Sequence, residues 1–349
     1  MTYKTLFYIS KTYSIPIIQP LMHYLKQRNN RFAFFVSSKV WERLPEEWHD
    51  FQVFRYYREA IQYRPDIVIC PGNFVDFRIP GIKVQIFHGL GIEKSSHYRI
   101  RHFFDVYLTS GPAVTKRFKK LQRRYRYFLV EETGWPKIDY IVGYPSQNIR
   151  KNFKIDKNKN VILYAPTHSR KMRSAEELLP VIPKITRDDE VWFIKFHEFM
   201  EKDVIRKFCY QRSGSIKIID DYDITPYLHL ADVLVSDTSS VVYEFMALDK
   251  PVITFRTLDR QNKGINISDP SELREALDRS IKNPEEFHKQ RMHHLQEVNP
   301  YLDGKISERV FHSLEKIMTR GLPQAHKPLN LIRKFQILYH EKFKSGYLR

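Results

Sequence analysis

The sequence predicts an α/β protein made of two doubly wound domains facing each other across a cleft. Three observations carry that expectation. Short, continuously apolar runs alternate with helical stretches along most of the chain, as parallel strands covered on both faces do. The 349 residues are more than one ordinary domain uses. A polar, Asn/Lys-rich stretch, YPSQNIRKNFKIDKNKN at 144–160, divides the runs into two sets and reads as a linker.

The first set of strands is TLFYI (5–9), RFAFFVS (31–37), DIVIC (66–70), KVQIF (83–87), DVYLT (105–109) and YRYFLVE (125–131). The second is NVILYA (160–165), EVWFIKF (190–196), IKIID (216–220), DVLVSD (232–237) and PVITF (251–255). After Phe255 only helical patterns follow, at about 270–282, 284–298 and 305–320. The expected division is 1–145 for the first domain, 146–159 for the linker, 160–320 for the second domain and 321–349 for a basic amphipathic tail.

Composition narrows the class. A 42% hydrophobic share with 14% aromatics supports a folded core and excludes a disordered chain. Two cysteines, Cys70 and Cys209, cannot build a disulfide framework. Both lie in apolar contexts, which points to buried thiols and a reducing compartment. Neither a signal peptide nor a run of about 20 apolar residues is present, so the expected location is cytoplasmic. The 58 Lys and Arg against 40 Asp and Glu give a formal charge of +18. A field of that sign favours an anionic partner: nucleic acid, an anionic membrane face or a phosphorylated substrate. An uncommitted basic surface is the alternative.

In doubly wound sheets ligands bind beyond the carboxyl ends of the strands. The loops there read HGLG (88–91), TGWPKID (133–139), APTHSR (165–170), KFHE (195–198) and SDTSS (236–240). In the last, Thr238, Ser239 and Ser240 would offer hydroxyls, together with the first N–H groups of the following helix, to an anion. Asp237 would repel a phosphate and is expected to brace the turn. Simple helix capping is the competing reading, but it uses one hydroxyl and leaves two unexplained. Glu244, one to two turns on, could reach a ribose or polyol hydroxyl or be an ordinary surface glutamate. His88, at the end of a strand and before Gly89, has the pKa range of a general base; a structural histidine fits equally. Lys195 and His197 alternate along one strand end and face one side, and His168 and Arg170 follow another. Together these cationic groups could neutralise a diphosphate.

Several chemistries find no support. There is no GxGxxG, no P-loop and no GxSxG elbow. HEFME (197–201) lacks the second histidine of a zinc helix, and His293 and His294 are poorly placed to share a metal. No metal and no cofactor is expected. Cys70 has no activating base beside it in sequence.

Two basic segments stand out. KRFKKLQRRYR (116–126) holds seven Lys or Arg and no acid. Phe118, Leu121, Tyr125 and Phe128 form an apolar stripe if it is helical. Lys116, Arg117, Lys119, Lys120, Arg123 and Arg124 would then meet anionic lipid. The tail 327–349 repeats the theme, with Arg333 and Lys334 among its six basic residues. Packing of both stripes on the core is the alternative. RNA could use the same charges, but no recognition-module signature is present, and no nucleic-acid partner is expected.

Taken together, IFHGLG, TGWPKIDYI, ILYAPTHS, FIKFHE and DVLVSDTSSVVYEFMALDKPVITF resemble, in order and spacing, the CDP-glycerol glycerophosphotransferase family of teichoic-acid primases and polymerases. The resemblance spans roughly 65–310. It implies two Rossmann-like domains of the glycosyltransferase B type, an acceptor-binding one followed by a nucleotide-donor-binding one. It also implies peripheral attachment to the cytoplasmic face of the membrane and transfer of an alditol phosphate from a CDP-alditol, CDP-glycerol first, to a lipid-linked or polymer acceptor. By position, His88 matches the family's base and His197 its second histidine. Thr238, Ser239 and Ser240 match its phosphate-binding hydroxyls, and Glu244 stands where the family usually has Asp. HGLG replaces HGTP, Thr238 replaces Tyr, Glu198 replaces Pro and THSR replaces TWR. A ribitol phosphate donor or a capsule acceptor fits as well as glycerol and teichoic acid. The absence of a large extra N-terminal region leads to the expectation of a short-product transferase. The alternatives are a nucleotide-sugar glycosyltransferase of the same fold and a non-catalytic basic nucleic-acid-binding protein.

Overall fold

Apolar strands separated by helices pair in parallel because each crossover returns the chain to the same end of the sheet. The computed structural model, which describes residues 3–209 and 214–343, contains two such sheets, parallel throughout. The first holds β1 (Thr5–Ile9), β2 (Phe32–Val36), β3 (Val53–Phe54), β4 (Ile67–Cys70), β5 (Ile82–Gln85), β6 (Val106–Thr109) and β7 (Leu129–Glu132). Its order is β3-β2-β1-β4-β5-β6-β7. The second holds β8 (Asn160–Ala165), β9 (Glu190–Ile194), β10 (Ile216–Ile218), β11 (Val233–Ser236), β12 (Val252–Phe255) and β13 (Ile265–Ile267), in the order β10-β9-β8-β11-β12-β13. The winding direction reverses between β1 and β4 in one sheet and between β8 and β11 in the other. Those two switch points are where such sheets open a crevice.

The chain forms two compact units, and neither is continuous in sequence. One comprises Met1–Gly89, Ser95–Tyr140 and Asn299–Arg349; the other comprises Leu90–Lys94 and Ile141–Val298. The stretch from Asn299 thus packs with the first unit. Its attachment is specific. Asp139 accepts hydrogen bonds from the Ile306 amide (3.0 Å), the Ser307 amide (2.7 Å) and the Ser307 hydroxyl (2.9 Å). It thereby satisfies two of the open N–H groups that begin helix Ile306–Arg320. Upstream, the Trp135 amide donates to Asn299 Oδ1 at 2.7 Å.

Several elements differ from the sequence expectation. β3 and β13, of two and three residues, are too short to show a period and were not anticipated. The strand expected at 83–87 stops at Gln85, since Phe87 takes a positive φ of 61° that a pleated strand cannot hold. Likewise β7 begins at Leu129 rather than 125, because helix Pro112–Tyr125 continues until Arg126 turns left-handed at φ 62°. The stretch read as a bare linker carries a helical turn, Ile149–Asn152. Arg150 within it grips the Asp232 carboxylate with two bonds of 2.8 and 2.7 Å, and Ile155 is buried.

Gly134 sits where helix Ile306–Arg320 comes closest to the TGWP turn. Its φ is +91°, and a Cβ there would lie 2.7 Å from Ile306 Cγ1. Gly134→Ala should therefore lower stability by about 2–4 kcal/mol, read as a shift of the denaturant midpoint at unchanged slope.

Candidate active site

The TGWP loop meets the residue that precedes HGLG within the first unit. The Trp135 indole N–H donates to the Phe87 carbonyl at 3.1 Å. That bond fixes the residue immediately before His88. Phe87 itself is buried against Phe118 (5.1 Å between ring centroids) and the ring of His97 (4.7 Å, stacked). His88 is exposed, three residues past the end of β5, with the Tyr13 ring 5.8 Å away. Tyr13 follows β1, and Gln85 bonds the Gly72 carbonyl (3.1 Å) and Asn73 Oδ1 (2.7 Å) after β4. His88 is thus grouped with loops from the β1/β4 switch point. Burial among rings pushes the His97 pKa down to about 3, with the charges of His88, Arg117 and Arg101 acting the same way, so His97 is neutral at physiological pH.

In the second unit the TSS turn directly follows β11 at the β8/β11 switch point. Asp237 is fully buried. It accepts from the Thr167 amide (2.9 Å), the Ser174 amide (2.9 Å) and the Ser174 hydroxyl (2.9 Å). Burial raises its pKa to about 6, against the pull of those hydrogen bonds and of the Lys94 charge. The sequence reading of Asp237 as a brace matches this arrangement. Thr238, Ser239 and Ser240 are half-buried. Ser240 occupies the cap position of helix Val241–Met246 without making a side-chain cap bond, so capping does not account for the hydroxyls. That helix has six residues, so its dipole is small and the hydroxyls are the main donors. Glu244 is 6% exposed, which removes the surface-glutamate alternative.

His168 and His197 come together, with ring centroids 4.2 Å apart. The exposed Phe199 ring flanks both, at 5.7 and 5.3 Å. The Phe199 amide donates to His197 Nδ1 at 3.2 Å. Burial and the Lys94 charge lower the His168 pKa. The other two expected cations are engaged elsewhere. The Lys195 ammonium donates to the Asp221 carbonyl, and the Arg170 guanidinium pairs with Glu201 at 2.5 and 3.0 Å.

Lys94 was not singled out by sequence. Its Nζ donates to Thr167 Oγ1 at 3.1 Å, which places it among the switch-point loops. Beside it, Glu93 accepts from the Tyr243 hydroxyl (2.6 Å) and pairs with buried Lys263 (3.5 Å). The IEK that follows HGLG carried no local signal, since its partners lie more than 70 positions away in sequence.

The other expectations resolve as follows. Helix Pro112–Tyr125 buries Phe118, which packs on Phe87 and Tyr107 at 5.1 Å each. Its stripe belongs to the core, while Lys116, Arg117, Lys120, Arg123 and Arg124 are exposed and Lys119 is half-buried. Over Leu331–Tyr339 the expected basic outer face is reversed. Arg333 and Lys334 are half-buried, over the rings of Phe103 (6.0 Å) and Phe77 (5.1 Å). Leu331, Ile332, Phe335, Leu338 and Tyr339 are exposed. The tail residues beyond 343 lie outside the described residues. Cys70 is buried, donates to the Phe74 carbonyl at 3.0 Å, and burial pushes its thiol up to about 12, which excludes a nucleophile. Asp249, Glu285 and His288 bring ligand atoms near one another. Asp249 is already bonded to Arg291 (2.9 Å) and His288 (2.5 Å) and precedes β12, at the end of the sheet away from the hydroxyl turn.

Two doubly wound parallel sheets with polar loops at their carboxyl ends define a two-domain, Rossmann-like α/β protein of the glycosyltransferase B type. The model of the CDP-Glycerol:Poly(glycerophosphate) glycerophosphotransferase family matches residues 88–316, and the chain belongs to that family. It is 29% identical over 178 residues to the teichoic acid glycerol-phosphate primase of Bacillus subtilis (strain 168), covering 46% of this chain and 45% of that protein. It is 23% identical over 353 residues to the teichoic acid poly(ribitol-phosphate) polymerase of Bacillus spizizenii, covering 87% of this chain and 53% of that one. The chain thus spans about half the length of these relatives. The solved structure of the wall teichoic acid polymerase TagF superposes with a TM-score of 0.65 at 15% identity, over 91% of this chain and 90% of that one.

Removing the Asp237 carboxylate strands three buried donors on the loop between β8 and residue 174. Asp237→Ala should cost about 2–4 kcal/mol and speed hydrogen exchange at the Thr167 and Ser174 amides, measured by NMR or mass spectrometry.

Proposed function

We propose that the chain transfers an alditol phosphate, glycerol phosphate first, from a CDP-alditol to a hydroxyl of a lipid-linked saccharide or polymer acceptor in cell-surface polymer synthesis. The observation that carries this reading is the hydroxyl turn at the β8/β11 switch point. Three hydroxyls lie on one turn, none used for capping, in a place built around a buried acid, and they fall inside the matched family region.

In this reading the second unit holds the donor. Thr238, Ser239 and Ser240 donate to its diphosphate, and His197, with His168 against it, steadies the charge that grows on the leaving phosphate. Glu244 takes a hydroxyl of the ribose or the polyol. The first unit supplies the acceptor side. His88 Nε2 or Nδ1 removes the acceptor's proton as its oxygen forms a bond to the β-phosphorus. The bond from that phosphorus to the bridging oxygen breaks, and CMP leaves with the electron pair. Positioning and electrostatic stabilisation supply most of the acceleration, as in phosphoryl transfer generally. The donor alditol decides between glycerol and ribitol products, and products from a synthetic acceptor with each CDP-alditol, resolved by mass spectrometry, identify it.

The reading includes attachment to an anionic membrane surface. No described helix is long and apolar enough to cross a membrane. The outward Leu331, Ile332, Phe335, Leu338 and Tyr339 offer an apolar face to lipid, and the exposed cations of helix Pro112–Tyr125 offer attraction to acidic headgroups.

His88→Ala should lower turnover of CDP-glycerol by a factor of roughly a hundred or more while CDP affinity changes little; turnover within tenfold of the parent would remove His88 as the base. Deleting 327–349 should reduce sedimentation with vesicles containing acidic lipid, and equal sedimentation would remove the tail from the membrane reading.

A further inference from the structure

We propose that Lys94 is the cation that meets the donor's diphosphate, in place of Lys195 and Arg170. The inference rests on the donor reading above and adds the charged group that reading lacks. A diphosphate brings at least two negative charges, and three hydroxyls are neutral. Charge compensation at a half-buried site needs a nearby ammonium or guanidinium. Of the cations expected from sequence, Lys195 is bonded to the Asp221 carbonyl and Arg170 to Glu201.

Lys94 meets the requirement by placement. It belongs to Leu90–Lys94, a short excursion of the chain that clusters with the second unit. Its ammonium donates to Thr167 Oγ1 at 3.1 Å. The Thr167 amide in turn donates to Asp237, the residue directly before Thr238. The side chain is therefore two hydrogen-bonded steps from the hydroxyl turn, on the side of the loop that also carries His168. An ammonium has three N–H donors. One is taken by Thr167, and no other hydrogen bond from the ammonium is present among the described residues. Its charge is felt by its neighbours: it adds to the burial that lowers the His168 pKa and opposes the burial that raises the Asp237 pKa. Burial lowers the pKa of Lys94 itself, while Asp237 and Glu93 favour its charged form. Glu93, fixed by Tyr243 and Lys263, anchors the residue next to it, so the ammonium is held on a braced segment.

The test uses the full chain and isothermal titration with CDP and with inorganic pyrophosphate. Lys94→Met keeps the aliphatic stem and removes the charge; Lys94→Arg restores a charge. The expected result is a loss of roughly ten- to a hundredfold in affinity for both ligands in Lys94→Met, with partial recovery in Lys94→Arg and melting midpoints close to the parent. On the unmodified chain, either ligand should protect Lys94 from reductive methylation, read by mass spectrometry. That arm serves if a variant does not fold. Parent-like affinity in Lys94→Met, or unchanged labelling of Lys94 with ligand bound, overturns the assignment and leaves the donor reading standing. A parent chain that binds pyrophosphate through Lys94 but not CDP overturns the nucleotide donor and keeps the anion site. A chain that binds neither overturns both.

Discussion

The second unit depends on one buried carboxylate. Asp237 is inaccessible to water, yet it is placed where β11 ends and the loops after β8 return. Burying an acid is costly unless donors surround it, and here two backbone amides and a hydroxyl do so. Those donors belong to Thr167 and Ser174, the two ends of the loop that carries His168 and Arg170. A loop of that length would otherwise be free to wander. With its ends fastened to the strand tip, the Thr167 hydroxyl, the His168 ring and the TSS turn keep fixed relations to each other. The acid, with its carboxylate taken up by these donors, organises the polar groups around it.

The first unit repeats the device. Asp139 also accepts from two successive donors on the backbone and from a serine hydroxyl, and burial likewise raises its pKa. There it fastens the start of helix Ile306–Arg320, while Trp135 in the same turn grips the Phe87 carbonyl. The TGWPKID motif is therefore structural in its own contacts: it ties a distant helix and sets the backbone next to His88. In both units a buried aspartate, directly after β11 in one and in the helical turn Lys137–Val142 in the other, gathers polar donors from remote sequence.

Most of the strands were legible because a buried parallel strand leaves an unbroken apolar run, as VILYA and VLVS do. The two shortest strands left none. Boundaries failed where a single residue adopts a left-handed backbone, at Phe87 and Arg126, since neither residue type announces that conformation. The positions of residues carried past strand ends were legible: His88, His168, His197 and the TSS turn follow apolar runs. Their partners were not. That Lys195 and Arg170 are drawn away by Asp221 and Glu201, and that Lys94 is drawn in by Thr167, depends on groups far apart in sequence. The tail shows the same limit from another side. Its apolar and basic residues were visible, but which set faces the protein depends on Phe77 and Phe103, which lie more than 200 positions earlier.

The chain passes between its two units four times, and this constrains how such a protein can be divided or inherited. Neither unit can be excised with a single cut. A fragment beginning at residue 141 lacks Glu93 and leaves Tyr243 and Lys263 facing a gap; one ending at residue 140 lacks the helix that Asp139 fastens. Modular exchange, in which one half is traded for a relative's half at a simple junction, would break both braces at once. New specificities in this architecture are more accessible through changes within loops than through the shuffling of whole lobes.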